Sequence, residues 1–207
     1  MKKKDFEAIG KRLLADLPGF AVRGPVVFIA PVRGVLRGLY FEGSDFDKNS
    51  FYVNIFILPL FVPTKFMYFL FGDRLRVDGA DRWKADAPNM LAQLGATIKQ
   101  EALPWLSRSK SLIDITRLAE SHPNPKDLHV QQVVAYALAR SGNVKQAVDA
   151  LDRLLGLLSE EVPWQHEMAE RAKVLKSQLL AEPTAAQRQL DSWEIETVRN
   201  LGLEEFR

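Results

Sequence analysis

The stretch FYVNIFILPLFVPTKFMYFLFG at 51–72 constrains the fold more than any other part of the chain, because it holds eight aromatic residues and a single charge, Lys65. A membrane-spanning helix needs about 20 consecutive, mostly apolar residues. Pro59 and Pro63 interrupt the stretch, and each removes a backbone donor that such a helix must satisfy internally. The runs on either side of VPTK are rich in Phe, Tyr, Ile and Val, which favour strands. We therefore predict two buried strands here.

The hydrophobic periods elsewhere predict an α+β fold. Apolar residues recur at helical steps within 5–17, and short β-branched and aromatic runs at 26–31 and 35–43 predict further strands. From 87 onward the helical period returns, and Pro104 is expected to end or kink the first of these helices. The later helices are predicted at 111–121, 127–141, 144–158, 164–181 and 184–201.

A turn-rich segment, SHPNPKD at 121–127, marks the predicted domain boundary. We expect an α+β module over 1–121 and an α-helical region over 127–207. The segment WEIETVRNLGLEEF at 193–206 begins with apolar residues at helical steps. It is suited either to capping the helical region or to docking a second copy of the chain, so a homodimer is one candidate assembly.

Composition excludes several function classes. Lys plus Arg is 28 and Asp plus Glu is 26, so the net charge of +2 argues against nonspecific nucleic-acid binding. The chain has no cysteine, which excludes disulfides, thiolate catalysis and cysteine-based metal sites. The opening MKKK is not followed by the apolar run of a signal peptide. We therefore expect a cytoplasmic protein without a membrane partner.

Residues 135–155, AYALARSGNVKQAVDALDRLL, resemble the centre of a tetratricopeptide repeat. Ala139 and Ala147 are small enough for two helices to pack closely, and Gly142 suits a left-handed helix end. The resemblance covers a helical hairpin over 127–158 and implies that its first helix lines a partner-binding face. The residues expected on that face are Gln131, Gln132, Tyr136 and Arg140. Alternatively, the hairpin only covers the first module.

Residues 5–121 resemble a bacterial family known only as a domain of unknown function. The resemblance rests on the strands within GLYFEGSDFDKNSFYVNIFI and on a helix that ends in Leu103-Pro104-Trp105-Leu106. It implies an opening helix, an antiparallel sheet and covering helices, sometimes in the neighbourhood of bacterial toxin–immunity systems. The family supplies no catalytic residues, so an immunity-type or adaptor role is what the resemblance implies.

The motifs that usually carry chemistry give no strong candidate. Residues 45–49, DFDKN, begin like a calcium loop, but Ser50 and Phe56 occupy the places of the Gly and Glu that such a loop needs. A polar hairpin turn is the better interpretation. The three histidines lack the spacing of a zinc site. We therefore expect no metal, no cofactor and no catalytic residue, although catalytic groups converging from distant positions would leave no motif.

The leading hypothesis is a non-catalytic module that binds another protein. Residues 1–80 hold 12 basic and 8 acidic side chains, which favours an acidic partner on Arg33, Arg37 and Lys65. Those same cations would also suit solvated strand edges and turns. The rival hypothesis is an enzyme or small-ligand binder with an aromatic-lined pocket. Its lining would come from Phe56, Phe61, Phe66 and Tyr68.

Overall fold

A computed structural model describes residues 1–109 and 111–207. Its contacts divide the chain into two compact units. The sheet unit comprises Met1–Leu58, Tyr68–Arg108 and Leu203–Arg207. The helical unit comprises Pro59–Met67 and Ser109–Gly202. The α+β class is confirmed. The division after residue 108 differs from the boundary that the turn-rich segment at 121–127 predicts.

The sheet unit opens with a helix and continues with an antiparallel sheet. Helix α1 is Lys3–Leu13, and the strands are β1 Phe20–Arg23, β2 Val26–Ile29, β3 Val35–Gly43, β4 Ser50–Pro59, β5 Phe71–Arg74 and β6 Trp83–Lys84. Among the described residues these strands form one sheet in the order β1-β2-β3-β4-β5, with β6 pairing the first residues of β4. Helices α2 Met90–Thr97 and α3 Leu103–Leu106 follow.

Strand β4 confirms the first of the two strands predicted in the aromatic stretch. From Ile55 to its end every residue is buried, as expected where a strand is covered on both faces. The second strand, β5, pairs Phe71 with Ile57 and begins later than the run after VPTK suggests. Residues 59–67 instead belong to the helical unit. The prediction of a strand directly after VPTK is therefore wrong for residues 66–70, which precede β5.

Close backbone packing fixes α1 and β3 in the sheet unit. A Cβ atom at Gly38 would lie 2.2 Å from the carbonyl oxygen of Val27 on β2. A Cβ atom at Gly10 of α1 would lie 2.9 Å from a methyl carbon of Val27. Both positions therefore require glycine, because nothing larger fits without displacing a neighbour.

Aromatic rings fill the space between α1 and the sheet. Phe6 lies 6.0 Å from both Phe41 and Phe51 between ring centroids, and Phe51 stacks on Trp83. The indole N–H of Trp83 donates a 2.9 Å hydrogen bond to the carbonyl oxygen of Leu75. This bond satisfies the one polar group that burying a tryptophan brings into a core.

Pro104 does not end its helix. Between α2 and α3 the backbone widens into a π-helical turn over Ile98–Ala102, and the N–H of Leu103 donates to the carbonyl oxygen of Ile98. A proline clashes with the carbonyl four residues earlier, here Gln100, and has no N–H to donate to it. The wider turn changes which carbonyl groups face Pro104 and so relieves this clash. The helix therefore continues to Leu106.

The helical unit contains the helices α4 Leu112–Glu120, α5 Leu128–Arg140, α6 Val144–Leu157, α7 Pro163–Ala181 and α8 Pro183–Asn200. The bounds of the last four lie within one residue of the predicted ones. Local signals explain this agreement: Asp127 caps α5 by accepting from two backbone N–H groups, and Gly142 follows α5 with a φ of 77°. No helix in the described ranges combines the length and apolar character needed to cross a membrane.

Each helix of this unit packs on the next one along the chain, and the last helix also packs on an earlier one. Helix α4 packs on α5, α5 on α6, α6 on α7 and α7 on α8, and α8 packs back against α5. Ala139 and Ala147 are fully buried, in agreement with the close packing predicted for α5 and α6. The return of α8 covers the face of α5 that a repeat array would leave open to a partner.

Candidate functional site

The residues predicted on an open face of α5 are mostly internal, and this corrects the sequence interpretation. Gln132 is 2% exposed and Tyr136 is 0% exposed. Arg140 forms ion pairs with Asp191 at 2.5 Å and Glu194 at 2.9 Å, both on α8. Glu194 is buried and Arg140 is mostly buried, so their pair holds α5 to α8, whereas Asp191 is exposed and its pair with Arg140 contributes less. These three side chains therefore do not line a partner-binding surface.

Gln131 is the remaining residue of that set. It is half-buried, and its side-chain amide donates a 2.6 Å hydrogen bond to the carbonyl oxygen of Pro125, just before α5. Its contact therefore orders the turn that leads into the helix.

Tyr136 carries a buried hydroxyl that lies near Gln132 and Arg171. Burial raises the pKa of its hydroxyl to about 12, although Gln132 and the charge of Arg171 act in the opposite direction. Gln132 lies beside this hydroxyl, but within the described ranges neither the hydroxyl oxygen nor Gln132 Nε2 completes a hydrogen bond. Arg171 Nε and Gln178 Oε1 on α7 are likewise buried and unpaired there. Unpaired buried polar atoms lower stability, so each of these atoms weakens the helical unit.

The predicted cationic surface is divided between the units. Arg33 and Arg37 lie in the sheet unit, whereas Lys65 lies in the helical unit. The guanidinium of Arg37 donates a 3.2 Å hydrogen bond to the carbonyl oxygen of Leu106, and partial burial lowers its pKa. Arg37 thus connects β3 to the end of α3, while Arg33 and Lys65 are exposed.

The four aromatic residues of the predicted pocket are also divided. Phe56 and Tyr68 lie in the sheet unit, and Phe61 and Phe66 lie in the helical unit. Phe56 and Phe61 are fully buried in close-packed surroundings, and burial raises the pKa of Tyr68. Phe66 differs from the others because it is 69% exposed. Phe61 and Phe66 lie on the same loop, which buries the first ring and exposes the second.

The loop at 59–67 is held against the C-terminal end of α8. The Thr64 N–H donates to the hydroxyl of Thr197 at 3.4 Å, and that hydroxyl donates to the carbonyl oxygen of Val62, also at 3.4 Å. The side-chain amide of Asn200 donates to the carbonyl oxygen of Thr64 at 3.0 Å. Phe61 and Val62 are buried beneath these bonds. The loop backbone is therefore fixed by both polar and apolar contacts.

A local turn then orients the exposed part of the loop. The hydroxyl of Thr64 donates to the carbonyl oxygen of Phe66 at 2.8 Å and accepts from the Phe66 N–H at 3.3 Å. Threonine turns of this type replace backbone bonds that a loop lacks. Lys65 and Phe66 project from the turn into solvent, and we call them the Lys65–Phe66 tip. A hydrophobic ring and a cation are thus presented together on a fixed backbone.

The turn at 45–49, whose sequence begins like a calcium loop, uses its carboxylate internally. Asp47 accepts hydrogen bonds from Asn49 N–H at 2.9 Å, from the Ser50 hydroxyl at 2.7 Å and from Lys84. The bonds from Lys84, Ser50 and Asn49 hold the pKa of Asp47 far below its usual range. The bond from Asn49 fits the polar hairpin turn predicted from the sequence, and the bond from Lys84 joins the β3–β4 turn to β6.

The chain matches no protein-family model, no curated protein and no solved structure. The resemblances to a domain of unknown function and to a tetratricopeptide repeat therefore stay predictions.

The sequence predicts Lys65 as part of a cationic surface and Phe66 as part of a ligand pocket. It does not indicate the residues that position them. Thr197 and Asn200 lie more than 130 residues from the loop, and no local pattern links them to it. The Pro63-Thr64 pair between two apolar runs is the one signal that indicates a turn there.

Proposed function

We propose that this protein is a non-catalytic module that binds another protein through the Lys65–Phe66 tip. The observation that carries the proposal is the 69% exposure of Phe66 on a loop whose backbone Thr197 and Asn200 hold in place. Exposed aromatic side chains with fixed backbones are well suited to recognition, because little conformational entropy is lost when they bind.

The energetic contribution of the tip can be estimated from its area. Fully burying a Phe side chain is favourable by about 1.5–3 kcal/mol, and each 1.4 kcal/mol changes affinity about tenfold. Phe66 in a pocket of the partner therefore accounts for a factor of about 10–100 in affinity. This places Phe66 in the range of interface hot-spot residues.

The neighbouring cation indicates the chemistry of the partner. Lys65 is exposed beside Phe66, so it would lie at the rim of the interface. A rim cation acts mainly on the association rate and its salt dependence, and it favours a surface of opposite charge. The partner that fits is a protein with an apolar pocket bordered by acidic side chains.

The ligand-pocket hypothesis has less support. Phe56 and Phe61 are fully packed and lie in different units, so they contribute to cores. An adaptor or immunity-type role and a cytoplasmic location are parts of the present proposal that rest on the sequence alone.

Affinity capture with matched variants tests the proposal. Tagged wild-type chain, Phe66→Ala and Phe46→Ala are used to capture proteins from a lysate of the source cells, and captured chains are quantified by mass spectrometry. Phe46 is the control because it is 91% exposed but lies on the β3–β4 turn of the sheet unit. We expect one protein to be retained by wild type and Phe46→Ala and depleted by Phe66→Ala. Equal retention by all three chains, or no specific capture, contradicts the proposal.

A further inference from the structure

The segment Leu203–Arg207 follows the last helix of the helical unit but belongs by its contacts to the sheet unit. Helix α8 ends at Asn200, and Gly202 turns the chain with a φ of 67°. The five residues that follow form a short turn and lie on side chains of the β1–β2 hairpin and the residues after it.

A backbone contact sets the position of the segment. The N–H of Val32 donates a 2.7 Å hydrogen bond to the carbonyl oxygen of Phe206. Main-chain bonds of this type give affinity that is independent of side-chain identity in peptide recognition. Leu203 is buried at the start of the segment, which fixes its direction.

An aromatic contact supplies apolar burial. The ring of Phe206 meets the ring of Phe28 edge to face, with centroids 5.0 Å apart and an interplanar angle of 87°. This is the preferred geometry of aromatic pairs, and it adds to the favourable effect of burial itself. Phe28 is fully buried in the presence of the segment.

A charge contact supplies selectivity. The carboxylate of Glu205 lies 2.6 Å from a guanidinium nitrogen of Arg23. Both side chains are exposed, so the pair contributes little to stability but discriminates against a cation at that position. Arg23, Phe28 and Val32 thus recognise a carboxylate, an aromatic ring and a carbonyl within two adjacent residues of a peptide. We call these three residues the hairpin site.

We propose that the hairpin site is a receptor for linear protein segments that carry an acidic residue directly before an aromatic one, and that Leu203–Arg207 occupies it as an internal ligand. A partner segment with the same Glu-Phe chemistry binds when the internal segment is displaced. The effective concentration of a tethered segment is in the millimolar range, so the internal ligand competes strongly with any external one. This site is separate from the Lys65–Phe66 tip and does not depend on it.

The test uses the full chain with its internal ligand weakened. In the Glu205→Ala/Phe206→Ala variant we expect hydrogen exchange at the Val32 amide, followed by NMR, to become faster than in the wild type. A capped peptide with the sequence GLEEFR should then bind saturably, restore slow exchange at Val32 and shift the resonances of Arg23 and Phe28. The wild-type chain should bind the peptide at least about tenfold more weakly, because its own segment competes.

A charge exchange provides the control. Adding Arg23→Glu to the variant should weaken binding of GLEEFR about two- to fivefold and strengthen binding of GLEKFR, in which lysine replaces the glutamate that precedes phenylalanine, because the ion pair is exposed. A peptide with alanine in place of phenylalanine should bind neither chain. The single substitution Phe206→Leu keeps an apolar side chain and so disturbs the fold less. Exchange at the Val32 amide and binding of GLEEFR are measured in this variant in the same way. A folded variant whose Val32 amide does not respond to about 1 mM GLEEFR, the effective concentration of a tethered segment, overturns the proposal.

Discussion

Tyr136 of α5 and Trp193 of α8 stack with their ring centroids 5.3 Å apart and an interplanar angle of 15°. Beside this stack Gln187 donates a 2.6 Å hydrogen bond to the carbonyl oxygen of Ala139, and Arg140 pairs with Glu194. Together these contacts hold α8 on the face of α5 that the repeat-like sequence predicts as a binding face. They also explain why the exposed Lys65–Phe66 tip is the better candidate.

The Tyr136 hydroxyl lowers stability in this arrangement. It is buried without completing a hydrogen bond among the described residues, so Tyr136→Phe removes an unpaired polar atom and keeps the stack on Trp193. We expect the free energy of unfolding, measured by urea denaturation, to stay unchanged or to rise by up to about 1 kcal/mol. Trp193→Ala is the comparison and should cost about 3–5 kcal/mol. A clear loss in Tyr136→Phe would show that the hydroxyl is bonded after all.

Gly38 should not tolerate a methyl group. In Gly38→Ala the new carbon would lie 2.2 Å from the carbonyl oxygen of Val27, and backbone atoms cannot move aside without breaking the β2–β3 pairing. We expect a loss of about 3 kcal/mol or more, in the upper range for overpacking. Gly156→Ala on α6 is the control, because a Cβ there meets nothing within 4 Å. It should stabilise the protein by about 0.5–1 kcal/mol, and equal effects of the two substitutions would contradict the packing described.

The Trp83 hydrogen bond should be measurable by substitution. Trp83→Phe keeps an aromatic ring against Phe51 but leaves the carbonyl oxygen of Leu75 without its indole donor. We expect denaturation to show a loss of about 1–3 kcal/mol for the unsatisfied group, in addition to lost packing. Trp105→Phe, at a half-buried position of the same unit, should cost less. A smaller loss at Trp83 than at Trp105 would refute a structural role for the bond.

Asp47 should make stability depend on pH at the acidic end. The bonds from Lys84, Ser50 and Asn49 lower its pKa in the folded chain, whereas an unfolded aspartate titrates at about 3.9. Its contribution is therefore present above pH ~3.9 and is lost as the pH falls below that value toward the folded pKa. The difference in unfolding free energy between wild type and Asp47→Asn should narrow as the pH is lowered through this window. A difference that does not change with pH would show that the charge of Asp47 is not involved.

Local signals in the sequence account for much of the fold. Asp127, Gly142, Pro163 and Pro183 mark helix ends by capping or by fixing φ, and the predicted bounds of α5–α8 agree closely with them. Strand β3 coincides with the predicted run at 35–43. These features depend on neighbours within a few residues, so a single sequence is enough to reveal them.

Long-range contacts account for what the sequence did not reveal. The short strands β1, β5 and β6 have few residues, and their place depends on partners elsewhere in the sheet. Residues 59–67 belong to the helical unit because Thr64 and Val62 bond to Thr197. The sequence pattern predicts Tyr136 on a binding face, but α8 covers it. In each case the apolar pattern shows which residues are buried but not what buries them.

Contact between Phe66 and a protein partner can be measured as an affinity. The captured partner is purified and titrated by calorimetry against wild type, Phe66→Ala and Phe46→Ala. We expect the dissociation constant to rise about 10–100-fold for Phe66→Ala and to stay unchanged for Phe46→Ala. The same dissociation constant for wild type and Phe66→Ala, with both chains folded, would contradict it.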